Sequence, residues 1–214
     1  EWVPKCIVVN RKERVVLNAV SLSTPGLEFL LASGEWQRRT EPFFISVMSL
    51  APTPEGRRAE LEGIFERLAK AKREERFRAD FGVQINLSCP NGGVKPNDLI
   101  DEAVPNLERA AHYLPDTVPL MPKFGPEAHP RSMLRIVQHP RVAALCFCNT
   151  LPFGKQPTWT TNEACRVDWK ALFGTDDPKE SPIAKRFPGF AGSLSGAPLL
   201  PIVGEWTRAV RALG

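Results

Sequence analysis

The chain has 214 residues, of which 43% are hydrophobic and 24% are charged. This composition is typical of a globular chain with a sizeable core, and it excludes a disordered chain, a collagen-like repeat and a disulfide-stabilised mini-protein. No apolar run approaches the roughly 18 residues that a membrane span requires, and no signal peptide is predicted. The net charge of +4 comes from 28 basic and 24 acidic residues, a balance that does not favour nucleic acid as a partner.

The cysteine pattern indicates a chain from a reducing compartment. Five cysteines are widely spaced without a CxxC pair, so we expect no metal site and a cytoplasmic location. The 21 prolines are scattered over turn and helix-start positions, which argues against a low-complexity linker.

In chain order, the predicted elements alternate between strands and helices. Continuous apolar runs predict strands at 43–48, 82–88, 119–124 and 142–147. Helical spacing of apolar residues predicts helices at 54–70, 99–111, 126–138 and from Pro201 onward. Thr53 and Pro54 are suited to the cap and first turn of the first of these helices, and Pro105 predicts a kink or two short helices.

Strands that are apolar almost throughout, each followed by a helix, indicate a parallel sheet in an α/β fold. No GxGxxG follows a strand, which argues against a Rossmann domain. We therefore expect a (β/α)8 TIM barrel that is incomplete in this chain, because about four of the eight βα units are found and N-terminal and C-terminal strands are missing. Residues 1–214 are expected to form a single barrel-domain fragment with an irregular excursion at about 151–197.

Polar residues follow the predicted strands at the edge where barrel enzymes carry their active sites. Five segments carry a family resemblance: VLNAVSLSTPG at 16–26, INLSCPN at 85–91, the strand ends Pro122-Lys123 and Cys148-Asn149-Thr150, and the loop GSLSGAPL at 192–199. In this order they resemble the dihydroorotate dehydrogenases. Ser21 and Ser193 stand where that family commonly has glycine, and the family's first and last barrel strands would lie outside the chain.

The resemblance implies an FMN-dependent oxidation of dihydroorotate to orotate in pyrimidine biosynthesis. The family removes a proton from C5 of the substrate and transfers a hydride from C6 to N5 of FMN, and the base is Cys89 by resemblance. The substrate residues implied are Asn18, Asn86, Asn91, Asn149 and Thr150. The FMN-binding residues implied are Lys123, Asn149, Ser195 and Gly196. Amides suit a pyrimidine edge because they both donate and accept, and a lysine suits an anionic reduced flavin.

Other interpretations remain open at this point. The NLSCP motif also resembles dihydropyrimidine dehydrogenase flavin domains, and a dihydrouridine-synthase-like reductase is a further flavin alternative. A cysteine hydrolase would pair Cys89 with His112, His129 or His139, although each histidine lies on or beside a predicted helix. An inactive barrel fragment would serve only as an interaction module. Cysteine as the base resembles the soluble class 1 enzymes, in which a homodimer is possible, but the sequence does not choose between fumarate and NAD as electron acceptor.

Overall fold

The computed structural model describes residues 4–20, 23–88 and 100–213, which form two compact units. We call residues 23–123 and 135–146 the parallel unit, and residues 1–22, 124–134 and 147–214 the antiparallel unit. The fold is mixed α/β, and it contains a four-stranded parallel sheet with helices, as the alternating pattern predicted.

The parallel sheet has the strand order β3-β4-β5-β6. Its strands are β3 (Phe43–Val47), β4 (Phe81–Asn86), β5 (Leu120–Phe124) and β6 (Cys146–Phe147). The helices along this part of the chain are α1 (Leu27–Ser33), α2 (Pro54–Arg73), α3 (Ala103–Tyr113) and α4 (Met133–Val137). Each of β3 and β4 therefore precedes the helix that the periodicity predicted.

Helix α2 begins where its sequence predicts. The Thr53 hydroxyl accepts a hydrogen bond from the Gly56 N–H at 3.1 Å, and Pro54 occupies the first turn, where its missing N–H is not needed. Leu61, Phe65 and Leu68 of α2 are buried, and the helix packs against α3. The apolar side of α2 thus belongs to the core of the parallel unit.

The two faces of the parallel sheet differ in character. On one side, every second residue of β4 and β5 is buried, including Val83 and Ile85, and so are Ile45 and Val47 of β3. The alternate residues of the same strands are half-buried or exposed, apart from Gly82. They include Phe44, Ser46, Gln84, Asn86, Met121 and Lys123. We call this second side the polar face, because most of its side chains towards the carboxyl ends of the strands are polar.

The antiparallel unit contains a second sheet, with the strand order β1-β2-β8-β7. Its strands are β1 (Ile7–Asn10), β2 (Val15–Asn18), β7 (Leu151–Pro152) and β8 (Ser193–Gly196). Its helices are α5 (Trp169–Phe173) and α6 (Leu199–Arg211), with single 3₁₀ turns at Glu163–Cys165 and Pro178–Glu180. Leu17, Leu151 and Leu194 are fully buried in its core. Sequence reasoning did not predict this sheet.

Several predicted boundaries are wrong. Of 142–147, only Cys146–Phe147 is a strand, and Val142 makes an isolated parallel bridge to Leu120. The helix predicted over 126–138 is a 3₁₀ turn at Pro130–Ser132 followed by α4, because the residue before a proline favours extended backbone.

Two further sequence predictions concern Pro105 and the segment 192–199. Pro105 lies in the first turn of α3 and a turn at Glu102 precedes the helix, so the chain is interrupted before Pro105 rather than at it. The segment 192–199, expected as a loop, forms strand β8 and the start of α6.

In the parts of the chain that the structure describes, no helix combines the length and apolar character needed to cross a membrane.

Candidate functional site

The candidate site begins where two neighbouring parallel strands end. Asn86 is the last residue of β4 and is the register partner of Lys123 on β5. The Leu87 N–H, one residue further on, donates to the Lys123 carbonyl at 2.9 Å, so the two strand ends stay side by side. Because the carboxyl ends of parallel strands meet at one edge, the sheet places an amide and an ammonium next to each other there.

The Asn86 side chain is held by the residues that follow it. Its Oδ1 accepts hydrogen bonds from the Ser88 backbone N–H at 3.3 Å and the Ser88 hydroxyl at 3.1 Å. Such a turn is common for asparagine, whose short side chain can bond the backbone two residues on. The local sequence therefore fixes the orientation of the amide at the point where the chain leaves the sheet.

Lys123 supplies positive charge at this edge. The residue is half-buried, and within residues 4–20, 23–88 and 100–213 its Nζ forms no ion pair. A cation that is partly removed from water can stabilise negative charge on a bound molecule. The site thus suits an acceptor-rich or anionic ligand.

The loop between β3 and α2, at the same edge of the sheet, is held by charged side chains. The Ser49 hydroxyl and the Leu50 N–H both donate to the Glu60 carboxylate. Arg57 of α2 donates to the carbonyls of Ala51 and Pro52, each at 3.2 Å. These bonds satisfy polar groups of a loop that leaves the sheet next to β4.

Arg57 also joins this loop to the start of α3. Its guanidinium makes a bidentate pair with Glu102, with distances of 3.1 Å from Nε and 2.5 Å from the terminal nitrogen. The two side chains are only 6% and 17% exposed, which makes this a buried ion pair. Sequence analysis missed both residues, because a pair 45 positions apart has no local signal.

Five of the predicted site residues lie in the antiparallel unit. Asn18 ends β2 opposite Ser193, and the Asn149 N–H donates to the Phe124 carbonyl at 2.9 Å. Asn149 Oδ1 accepts from the Thr150 N–H, also at 2.9 Å. The remaining two, Ser195 and Gly196, lie on β8, opposite residues 16 and 15.

The backbone at position 196 requires glycine. Its φ is +114°, and a Cβ at this position would overlap the carbonyl oxygen of Arg14, the residue immediately before the neighbouring strand β2. The close approach of β2 and β8 thus explains this glycine without a ligand. Ser195 and Gly196 were expected on a loop and are instead part of an antiparallel strand pair.

Cys89 and Asn91 lie outside the described residues. The three histidines of the hydrolase alternative have local structural partners: Nδ1 of His129 accepts from the Arg131 N–H, Nδ1 of His139 accepts from the Arg141 N–H, and His112 packs edge-on against Tyr113. No group of three or more potential metal ligands occurs among the residues with described positions.

In the antiparallel unit, burial and neighbouring charges shift the pKa values of two side chains, Glu127 and Cys165. Burial raises the pKa of the Glu127 carboxyl, opposed by the charge of Lys155. Burial also raises the pKa of the Cys165 thiol, and the Glu205 carboxylate raises it further. Cys165 is therefore a buried apolar residue of that core, in keeping with its place beside Val167 and Ile202.

The comparison of the sequence with known proteins identified no relative. No protein-family model matches the chain, and no curated protein matches it.

Proposed function

We propose that this protein oxidises dihydroorotate to orotate with FMN as cofactor, in the cytoplasm, on a (β/α)8 barrel to which the parallel sheet contributes successive strands. The observation that carries the proposal is the pairing of Asn86 with Lys123 at the carboxyl end of β4 and β5. This edge is where a barrel of this kind binds its substrate. The substrate and cofactor classes come from the sequence resemblance.

The donor set at this edge fits a flavin. The pyrimidine part of the flavin ring presents carbonyl and ring-nitrogen acceptors and becomes anionic on reduction. Lys123 supplies a cation that forms no ion pair among the described residues, and Asn86 supplies an amide whose orientation Ser88 fixes. A cation next to the acceptor edge favours the reduced state over the oxidised one.

The roles proposed for the protein side chains are those that the sequence resemblance implies. The amide of Asn86 can both donate to and accept from the alternating donors and acceptors of the substrate ring. Cys89, assigned on the sequence alone, takes the proton from C5 of dihydroorotate as its thiolate, and becomes a thiol. Bound FMN would supply the acceptor for the hydride from C6. The ammonium of Lys123 would stabilise the negative charge that reduction leaves on the flavin ring.

The test is a titration of the full chain with FMN, followed by anaerobic addition of dihydroorotate. We expect quenching of flavin fluorescence on binding and bleaching of the visible flavin absorbance by the substrate. Lys123→Met is expected to slow the bleaching by about 10²-fold, the cost typical of losing one group that stabilises developing negative charge. Lys12→Met is the matched control, because the Lys12 side chain is 91% exposed.

Three outcomes contradict the proposal. A chain that does not bind FMN is not a flavoenzyme of this kind. Bleaching by dihydrouracil but not by dihydroorotate would assign the dihydropyrimidine dehydrogenase alternative. Equal bleaching rates for Lys123→Met and the wild type would remove Lys123 from the site. For the base, Cys89→Ala is expected to bind FMN normally and bleach slowly.

A further inference from the structure

The polar face carries a hydrogen-bonding residue that sequence analysis did not assign. Gln84 lies two residues before Asn86 on β4, so the two side chains are on the same face of the sheet. Its register partner on β5 is Met121, just as Lys123 is the partner of Asn86. Gln84 therefore forms the next row of the same surface, about 7 Å down the strands from the Asn86–Lys123 row.

The Gln84 amide is oriented by a neighbouring strand. The Ser46 hydroxyl on β3 donates to Gln84 Oε1 at 2.9 Å. This bond occupies the acceptor end of the amide and leaves the Nε2 group with two N–H donors. Among the residues with described positions, Nε2 has no hydrogen-bond partner, and the residue is half-buried. A half-buried donor pair of this kind is suited to an acceptor on a bound molecule.

The row beyond Gln84 is apolar. The Phe44 side chain lies over Gly82 so closely that a Cβ on this glycine would overlap the Phe44 ring. From the amino to the carboxyl ends of the strands, the face thus has first the row of Phe44 and Gly82, then the row of Gln84, and then the row of Asn86 and Lys123. Hydrogen-bond donors and positive charge are concentrated towards the edge that carries the proposed site.

We infer that Gln84 is a further cofactor-binding residue, whose Ser46-oriented amide donates to a carbonyl or ring-nitrogen acceptor of a planar heterocycle bound on the polar face. This inference rests on the proposed function and makes FMN the ligand. A ring system of the size of a flavin covers more than one row of a sheet, so hydrogen-bond donors in a second row add to the binding contacts of Asn86 and Lys123. Gln84 acts by binding and takes no part in the proton transfer.

The experiment compares Gln84→Glu, Gln84→Met and the control Gln138→Glu, which makes the same charge change at an exposed position. The readouts are the FMN dissociation constant and the flavin midpoint potential of the full chain. Gln84→Glu replaces donors with a negative charge, so we expect FMN affinity to fall at least tenfold. Reduced FMN should lose about tenfold more affinity than oxidised FMN, which lowers the midpoint by about 30 mV for a two-electron couple. Gln138→Glu should match the wild type.

Gln84→Met keeps the size of the side chain but removes the donors, and methionine already occurs on this face at Met121. We expect several-fold weaker FMN binding, and this variant decides the question if Gln84→Glu does not fold by circular dichroism. Wild-type dissociation constants and potentials in the folded Gln84 variants would overturn the inference. If Lys123→Met still weakens the reduced state in that case, the proposed function survives. A wild-type chain that does not bind FMN would overturn both.

Discussion

Removing Arg57 should cost this fold far more than removing its neighbour on α2. Arg57 and Arg58 each form an ion pair, with Glu102 and Glu55 respectively. The Arg57 pair is buried, with side chains 6% and 17% exposed, whereas the Arg58 pair is 39% and 75% exposed. The two arginines thus provide a matched comparison of a buried and an exposed pair in a single helix.

The magnitudes follow from what each substitution leaves behind. Arg57→Met leaves the Glu102 carboxylate largely buried without this partner, and the Ala51 and Pro52 carbonyls lose a donor. Breaking a buried pair by removing one partner costs about 3–5 kcal/mol. Arg58→Met breaks a solvent-screened pair, for which about 0.2–1 kcal/mol is typical.

Urea denaturation followed by far-ultraviolet circular dichroism measures both losses as shifts of the midpoint. Hydrogen exchange of the 54–73 segment shows whether the loss lies in α2. In the double variant Arg57→Met/Glu102→Leu, no charge is left buried, so we expect it to recover much of the stability lost in Arg57→Met. A loss in Arg57→Met no larger than that in Arg58→Met would refute the reasoning.

Two further predictions concern a glycine and a surface carboxylate. Gly196→Ala should destabilise the fold by about 1–3 kcal/mol, since its φ is +114° and the new Cβ would overlap the Arg14 carbonyl. Gly189 has a φ of +93°, but a Cβ there would meet no atom within 4 Å. We therefore expect a lower melting temperature for Gly196→Ala than for Gly189→Ala. The hydrogen bond and charge of Lys72 lower the pKa of Asp80 below its ordinary 3.8, so its stabilisation is present above that pH and is lost as the pH falls further. Melting temperatures of Asp80→Asn and wild type should therefore converge in acid, and a constant gap at all pH values would contradict this.

Local sequence signals predicted several elements correctly. Thr53 and Pro54 predicted the start of α2, because capping and the fixed φ of proline depend on neighbouring residues alone. The continuous apolar runs likewise predicted β3, β4 and β5 and their parallel arrangement. The placement of Asn86 and Lys123 at one edge of the sheet followed from the rule that parallel strands end at one edge, whereas their direct pairing is seen only in the structure.

Other elements depend on contacts that no local pattern encodes. The strands β1, β2, β7 and β8 are each two to four residues long, too short for a reliable period, and β2 pairs with β8 from almost the opposite end of the chain. The segment at 142–147 is apolar enough for a strand, but only its last two residues and one bridge at Val142 pair with a neighbour. Pairing partners decide such cases.

By itself, the sequence determined the α/β class and the parallel strands, because periodicity and capping are local properties of the chain. Tertiary structure alone decided that Arg57 joins a loop to α3 through Glu102, that Gly196 is required by the nearby Arg14 carbonyl, and that Ser46 orients Gln84 beside the Asn86–Lys123 row. Each of these depends on atoms brought together from distant positions in the chain, and on burial, which determines the strength of an ion pair or hydrogen bond.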